Sequence, residues 1–237
     1  YGVRSLPTSA FTTQNLVYIE NRCESTRLLD WISSFWYPVT TERSVGFIMM
    51  TKKEILDAAA EIFSLKGYHA TSMQDIAKAV NLQKASLYHH VSSKQDILLE
   101  LLDQALELLS EKILPIAKDA ALSPDEKLPL MMKAYLRALT DHLDLTTVLL
   151  MEHRSLKPEL HARHIPNRDR FEKIWRQTIE DGLQSGGFSC AEAPLTTRNL
   201  LGAMNWVVTW YNPEGALSIE EIADQLASLF LNGIREK

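Results

Sequence analysis

The chain has 237 residues, 46% of them hydrophobic and 23% charged, with a formal net charge of −5. That balance suits a soluble chain with a sizeable core, and no apolar run approaches the ~18 residues needed to span a bilayer. Two cysteines, Cys23 and Cys190, stand far apart without partners at metal spacing, which points to a reducing cytoplasm.

Residues 1–48 contain no lysine, and their bulky residues (Trp31, Phe35, Trp36, Tyr37) follow neither helical nor strand period. They lack the basic start and continuous apolar core of a signal peptide. They are read as a non-native or disordered N-terminal extension, with the native start near Met49. Thr51 to Glu54 then form a capping box, followed by the helical stripe Ile55, Ala58, Ala59, Ile62 and Phe63, which Gly67 ends.

The stretch TSMQDIAKAVNLQKASLYHHV, residues 71–91, carries the first functional signal. Ser72 with Asp75 caps a short helix whose apolar face is Ile76, Ala77 and Val80. Asn81 sits where a left-handed residue is needed, and a second unit starts near Gln83 or Lys84 with Leu87 packed inward. A small residue, a turn residue four positions later and a closing leucine are what a helix-turn-helix requires. The free face of the second unit offers donors and no acid. From 63 to 95 four lysines (Lys66, Lys78, Lys84, Lys94) face one acid, Asp75, a basic island in an acidic chain. A helical hairpin that only completes a core is the plainer alternative.

Ser92 with Gln95 reads as another capping box, opening a long helix through Ile97, Leu101, Leu102, Ala105 and Leu109 that Pro115 should kink or end. This helix joins head to body. Further helices are expected from Pro124 through Leu139, over 143–154, from Pro158 to Gly186-Gly187 (bent or split at Pro166), over 195–211 and over 218–234. The last opens with the box from Ser218 to Glu221. No strand pattern follows residue 50. The fold expected is all-α: a three-helix DNA-binding head at 49–95 and a helical-bundle ligand-binding and dimerisation body at 96–237. The last two helices are apolar nearly all round, so a partner subunit is their natural cover, with Met204, Val208, Leu226, Leu229 and Phe230 at the seam. A core helix of a monomer remains the alternative.

His161 and His164 lie three apart near His153, but no further ligands stand in register for a metal, and solvated or interhelical histidines are the simpler reading. No nucleophile elbow and no repeated Glu-x-x-His pattern occurs, so an enzyme is set aside and no cofactor is implied.

ATSMQDIAKAV followed by ASLYHHVSSKQDIL resembles the DNA-binding segment of TetR-type transcriptional regulators, and the similarity extends back to Thr51. The chain departs from that pattern with Asn81 in place of Gly, Gln83 in place of Ser or Thr, and Val91 in place of Phe. The resemblance implies a homodimeric repressor of a palindromic operator in double-stranded DNA, dimerised through its last two helices and away from any membrane. Thr71, Ser72, Gln83, Lys84, Ala85, Ser86, Tyr88, His89 and Lys94 are the residues expected on the DNA. The segments NRDRFEKIW (167–175) and GAMNWVVTWYNPEG (202–215) look like the branch that senses acyl-CoA thioesters in fatty-acid or steroid breakdown. Its effector would then meet His153, Arg154, Arg168, Phe171, Trp175, Asn205 and Trp206, with Arg163, Arg170 and His164 as further cations for phosphates. An unrelated hydrophobic drug or metabolite is the alternative effector.

Overall fold

The computed structural model describes residues 51–190 and 192–234, so the expectation on residues 1–48 lies outside the described residues. The helices are α1 (Lys52–Lys66), α2 (Met73–Ala79), α3 (Lys84–Leu87), α4 (Lys94–Lys118), α5 (Pro124–Asp141) and α6 (Leu143–Glu152). A 3-10 turn at His153–Ser155 leads to α7 (Pro158–Gln184), α8 (Ala193–Trp210) and α9 (Ile219–Ile234). No β-strand occurs among the described residues, only an isolated bridge at Phe188. Nor, among them, is any helix long and apolar enough to cross a membrane.

Local signals set most of the starts and stops. In the box at Thr51, the Glu54 N–H donates to Thr51 Oγ1 (3.2 Å) and the Thr51 N–H donates to Glu54 Oε2 (2.7 Å). The same reciprocal pattern joins Ser72 with Asp75 and Ser218 with Glu221. Each satisfies helix-end donors that would otherwise lack partners. Gly67 (φ +81°) ends α1 and Gly186 (φ +76°) follows α7, both in conformations that L side chains resist.

One expectation is corrected, and two that offered alternatives are narrowed. The cap of α4 is Ser93, whose Oγ accepts from the Asp96 N–H (3.1 Å); Ser92 and Gln95 do not form the box, and Gln95 is left free to reach elsewhere. The helix then runs through Pro115 for three more residues, to Lys118. Pro166 does not split α7, which stays helical from Pro158 to Gln184, so a bend is the alternative left there. A proline interior to a helix removes one backbone hydrogen bond, and the buried stripe of Phe171, Trp175 and Ile179 beyond it holds the helix to the body.

The core is one continuous apolar cluster. α4 runs against α1, α5, α6 and α7; α9 lies on α5; α8 packs on α7 and α5. α1 also packs along α6, so head and body share an interior. Where α7 ends, Gly182 lets the buried Phe188 ring approach closely: a Cβ at 182 would stand 2.1 Å from Phe188 Cδ2. Gly182→Ala is therefore expected to destabilise the fold by about 1–3 kcal/mol, as overpacking does. That should lower the thermal midpoint by roughly 2–4 °C per kcal/mol for a domain of this size. An unchanged midpoint would show that Phe188 yields without cost.

Candidate functional site

The first site is built by α2, α3 and the turn between them. Asn81 takes the left-handed conformation (φ +53°), and the next N–H, of Leu82, donates to Ala77 C=O (2.8 Å), which reverses the chain in a few residues. Ala77 and Leu87 are fully buried, so the two helices meet closely and α3 is held with one face outward. That face presents Gln83, Lys84, Ala85, Tyr88 and His89, all exposed, with Ser86 half-buried. Gln83 occupies the N-cap of α3 without a side-chain cap bond, leaving its amide available for another partner.

Two residues expected on the DNA are committed inside the protein. Thr71 is buried, and its hydroxyl donates to Gly67 C=O (2.9 Å). Lys94 donates to Tyr68 C=O (2.8 Å) and Thr71 C=O (2.6 Å) and sits 4.2 Å from the centre of the Tyr68 ring. Burial lowers the Lys94 pKa, with the Glu152 charge opposing the shift. Both side chains tighten the loop before α2 rather than reaching outward. Ser72 stays exposed, its hydroxyl on Asp75 Oδ2 (2.6 Å).

The second site lies in the body, where Tyr135 of α5 meets Phe171 and Trp175 of α7. The Tyr135 and Trp175 rings cross edge to face at 5.5 Å, and Tyr135 stands 5.8 Å from Phe171. The Tyr135 hydroxyl donates to Asn205 Oδ1 of α8 (2.6 Å), and burial drives its pKa far above the ordinary phenol value. Trp175 is completely buried, yet its Nε1–H finds no acceptor; the Thr147 hydroxyl is likewise buried and unpaired. Such a group costs about 1–3 kcal/mol until something accepts from it. Phe171, Trp175 and Asn205 thus each contact Tyr135. Tyr135 joins them through a hydroxyl whose partner is 70 residues away.

The expected cations do not gather. His164 is buried with Nδ1 2.8 Å from Asp103 Oδ1, an interhelical pair between α7 and α4. Arg163 lines an open groove of about 460 Å3 with Asp96, Glu100, Asp103 and Glu107 of α4. Arg168 pairs with Asp169 (3.0 Å) and lines a separate open cleft of about 590 Å3 with Glu172, Arg176 and Arg198. Arg176 and Arg198 had no sequence signal, because α7 and α8 bring them together only on folding. His153 and the exposed Arg154 stand in the 3-10 turn; burial, then the Arg154 charge, lowers the His153 pKa. Trp206 leaves the effector set: it is 65% exposed on the outside of α8.

Two residues expected at a dimer seam are corrected in the same way. Met204 is fully buried and Val208 nearly so, both within the protomer core. The outward apolar residues of the last two helices are Leu195, Trp206, Trp210 and Leu229, with Leu226 and Phe230 half-buried beside them.

Comparison with known proteins matches residues 55–101 to the bacterial regulatory protein, tetR family model and residues 121–234 to the tetracyclin repressor-like C-terminal domain. The chain is 36% identical to PfmR, a TetR family transcriptional regulator from Thermus thermophilus, with 77% of this chain and 99% of that one covered and a TM-score of 0.69. It is 27% identical to the HTH-type transcriptional repressor KstR2 of Mycobacterium tuberculosis, covering 83% of this chain and 98% of that protein. It is also 27% identical to AibR in complex with isovaleryl coenzyme A and operator DNA, covering 75% and 96% with a TM-score of 0.70.

Proposed function

From the premise that this chain belongs to the TetR family and is a ligand-responsive transcriptional repressor, we propose that it holds a palindromic operator as a homodimer and is released by an acyl-CoA thioester. It acts in the cytoplasm, with 49–95 as DNA-binding head and 96–237 as ligand-binding and dimerisation body. Lys84, Tyr88 and His89 meet the duplex from the outward face of α3, joined by Gln83, Ala85, Ser86 and Ser72. Phosphate contacts position a reader on the duplex and base-edge contacts specify the sequence.

The observation that carries the effector reading is the buried, unpaired Nε1–H of Trp175 beside Tyr135, Phe171 and Asn205. Apolar walls with a few placed donors suit a ligand that is mostly hydrocarbon but carries a carbonyl, as an acyl thioester does. The AibR complex with isovaleryl coenzyme A, a relative over nearly its whole length, supports the same class. Arg168 and its neighbours supply cations for phosphates at the surface. A ligand releases DNA only to the extent that it binds the released state more tightly.

Three measurements test this reading. In mobility shifts, Lys84→Ala should weaken operator binding and reduce its salt slope by about one if the ammonium meets a phosphate, whereas Tyr88→Ala should relax sequence preference. Undiminished binding by both variants would remove α3 from the interface. Trp206→Glu with Leu229→Lys, both at exposed positions, should give a folded monomer by sedimentation; a persisting dimer would put the seam elsewhere. Long-chain acyl-CoA should release the operator while free CoA and free fatty acid do so poorly. Trp175→Phe, which removes only the indole donor and some ring volume, should weaken that response about tenfold, since a lost buried hydrogen bond is worth ~1.4 kcal/mol or more. Release by a drug-like cation, with no response to any thioester, would replace the effector class.

A further inference from the structure

The side chain of Gln95, one residue past the point where α4 begins, spans three segments at once. Its Nε2 donates to the Tyr68 hydroxyl (2.7 Å) and to Ser155 C=O (2.8 Å), while its Oε1 accepts from the Lys157 N–H (2.8 Å). Tyr68 belongs to the loop between α1 and α2, in the head. Ser155 and Lys157 belong to the corner between α6 and α7, in the body. The same two segments are tied again by Glu152, whose Oε1 accepts from the Tyr68 N–H (3.1 Å) and whose Oε2 accepts from the Ser155 hydroxyl (3.0 Å). His69 Nε2 stands 3.2 Å from Ser155 Oγ and completes the contact.

We propose that Gln95 is a positioning residue that couples the body to the DNA-binding head, by locking the loop between α1 and α2 onto the 3-10 corner. The chemistry favours a switch over a hinge. Both amide hydrogens and the carbonyl oxygen of Gln95 are used, and a planar amide fixes its three partners in one arrangement. A shift of the corner or of the start of α4 by about an ångström carries these bonds of 2.7–2.8 Å out of hydrogen-bond range together. Packed joints of this kind pass between discrete arrangements and do not deform continuously. The corner is also where a ligand could act. His153 and Arg154, offered above as effector contacts, lie between Glu152 and Ser155, so moving them moves both acceptors that face the head. The proposal rests on the repressor reading but not on the identity of the effector.

The test compares wild type with Gln95→Leu, which loses all three bonds, Gln95→Glu, which keeps the acceptor for the Lys157 N–H, can meet the Tyr68 hydroxyl only by accepting from it and loses the donor to Ser155 C=O, and Tyr68→Phe, which loses one hydroxyl. Arg137→Ala, which breaks an exposed ion pair with Glu220 on the far helices, is the control. Hydrogen–deuterium exchange of the effector-free protein should quicken at least fivefold in 67–71 and in 153–157 together for Gln95→Leu, less for Tyr68→Phe, and not for the control. Quickening in only one segment, or in neither, overturns the proposal. A second arm uses palmitoyl-CoA as the probe and measures the ratio of operator affinities without and with it. That ratio should fall at least fivefold in Gln95→Leu and Gln95→Glu while palmitoyl-CoA still binds the DNA-free protein, which a merely structural role would not produce; an unchanged ratio overturns the coupling. Should palmitoyl-CoA fail to release wild type, the thioester reading fails and the exchange arm alone decides this one. Should Gln95→Leu not fold, Tyr68→Phe carries both arms, with a change of at least twofold as its threshold.

Discussion

Nine of the 25 residues of α4 are buried, from Ile97 to Ile113, and α1, α5, α6 and α7 are laid against them. An amphipathic helix cannot hide its stripe alone, and a stripe this long fixes where its neighbours lie. The arrangement leaves the reading face of α3 at one end of the helix that also forms the centre of the body. α4 thus belongs at once to the packing of the head and to the centre of the body. Truncating a residue such as Leu102 would cost about 2–5 kcal/mol through the cavity it leaves, so the stripe is also where the fold tolerates least change.

Polar groups are distributed by the same constraint. Where they cross between helices they come in satisfied pairs: His164 with Asp103, Tyr135 with Asn205, Ser64 with Asp144. Trp175 is the exception within the aromatic cluster, a buried donor with no acceptor among the described side chains and backbone. Natural cores rarely carry such a group, and where they do it commonly serves something that binds there. The exposed arginines behave in the opposite way. Arg168 and Arg198 have carboxylates nearby, and water already screens them, so their pairs add little to stability.

The sequence discloses features whose physics is local. The boxes at Thr51, Ser72 and Ser218, the left-handed Asn81 and the burial of Ala77 and Leu87 each depend on a few adjacent residues. The misreadings share another origin. Serines at 92 and 93 both satisfy a cap pattern, and only the backbone decides that Ser93 wins and Gln95 turns away. A helix apolar nearly all round cannot say which side meets its own core, so Met204 and Val208 read as interface while the outward Trp206 reads as an effector contact. Lys94 looked available because the carbonyls it serves lie 23 and 26 residues away, whereas Thr71 turns back on Gly67 C=O only four residues earlier. Among the body residues, Phe171, Trp175 and Asn205 were legible as a group, but the hydroxyl of Tyr135 that joins them was not.

The packing of α1 on α6 bears on how portable the head is. Beyond that apolar contact, Ser64 leans on Asp144, Lys52 on Glu100 and the Tyr68 amide on Glu152. A head grafted from a relative onto this body would bring its own partners for only one side of each pair, leaving polar groups facing side chains of the wrong length. Swapping operator preference between relatives by exchanging the first helices thus amounts to transplanting an interface. The smaller graft, the exposed positions of α3 alone, crosses none of these contacts.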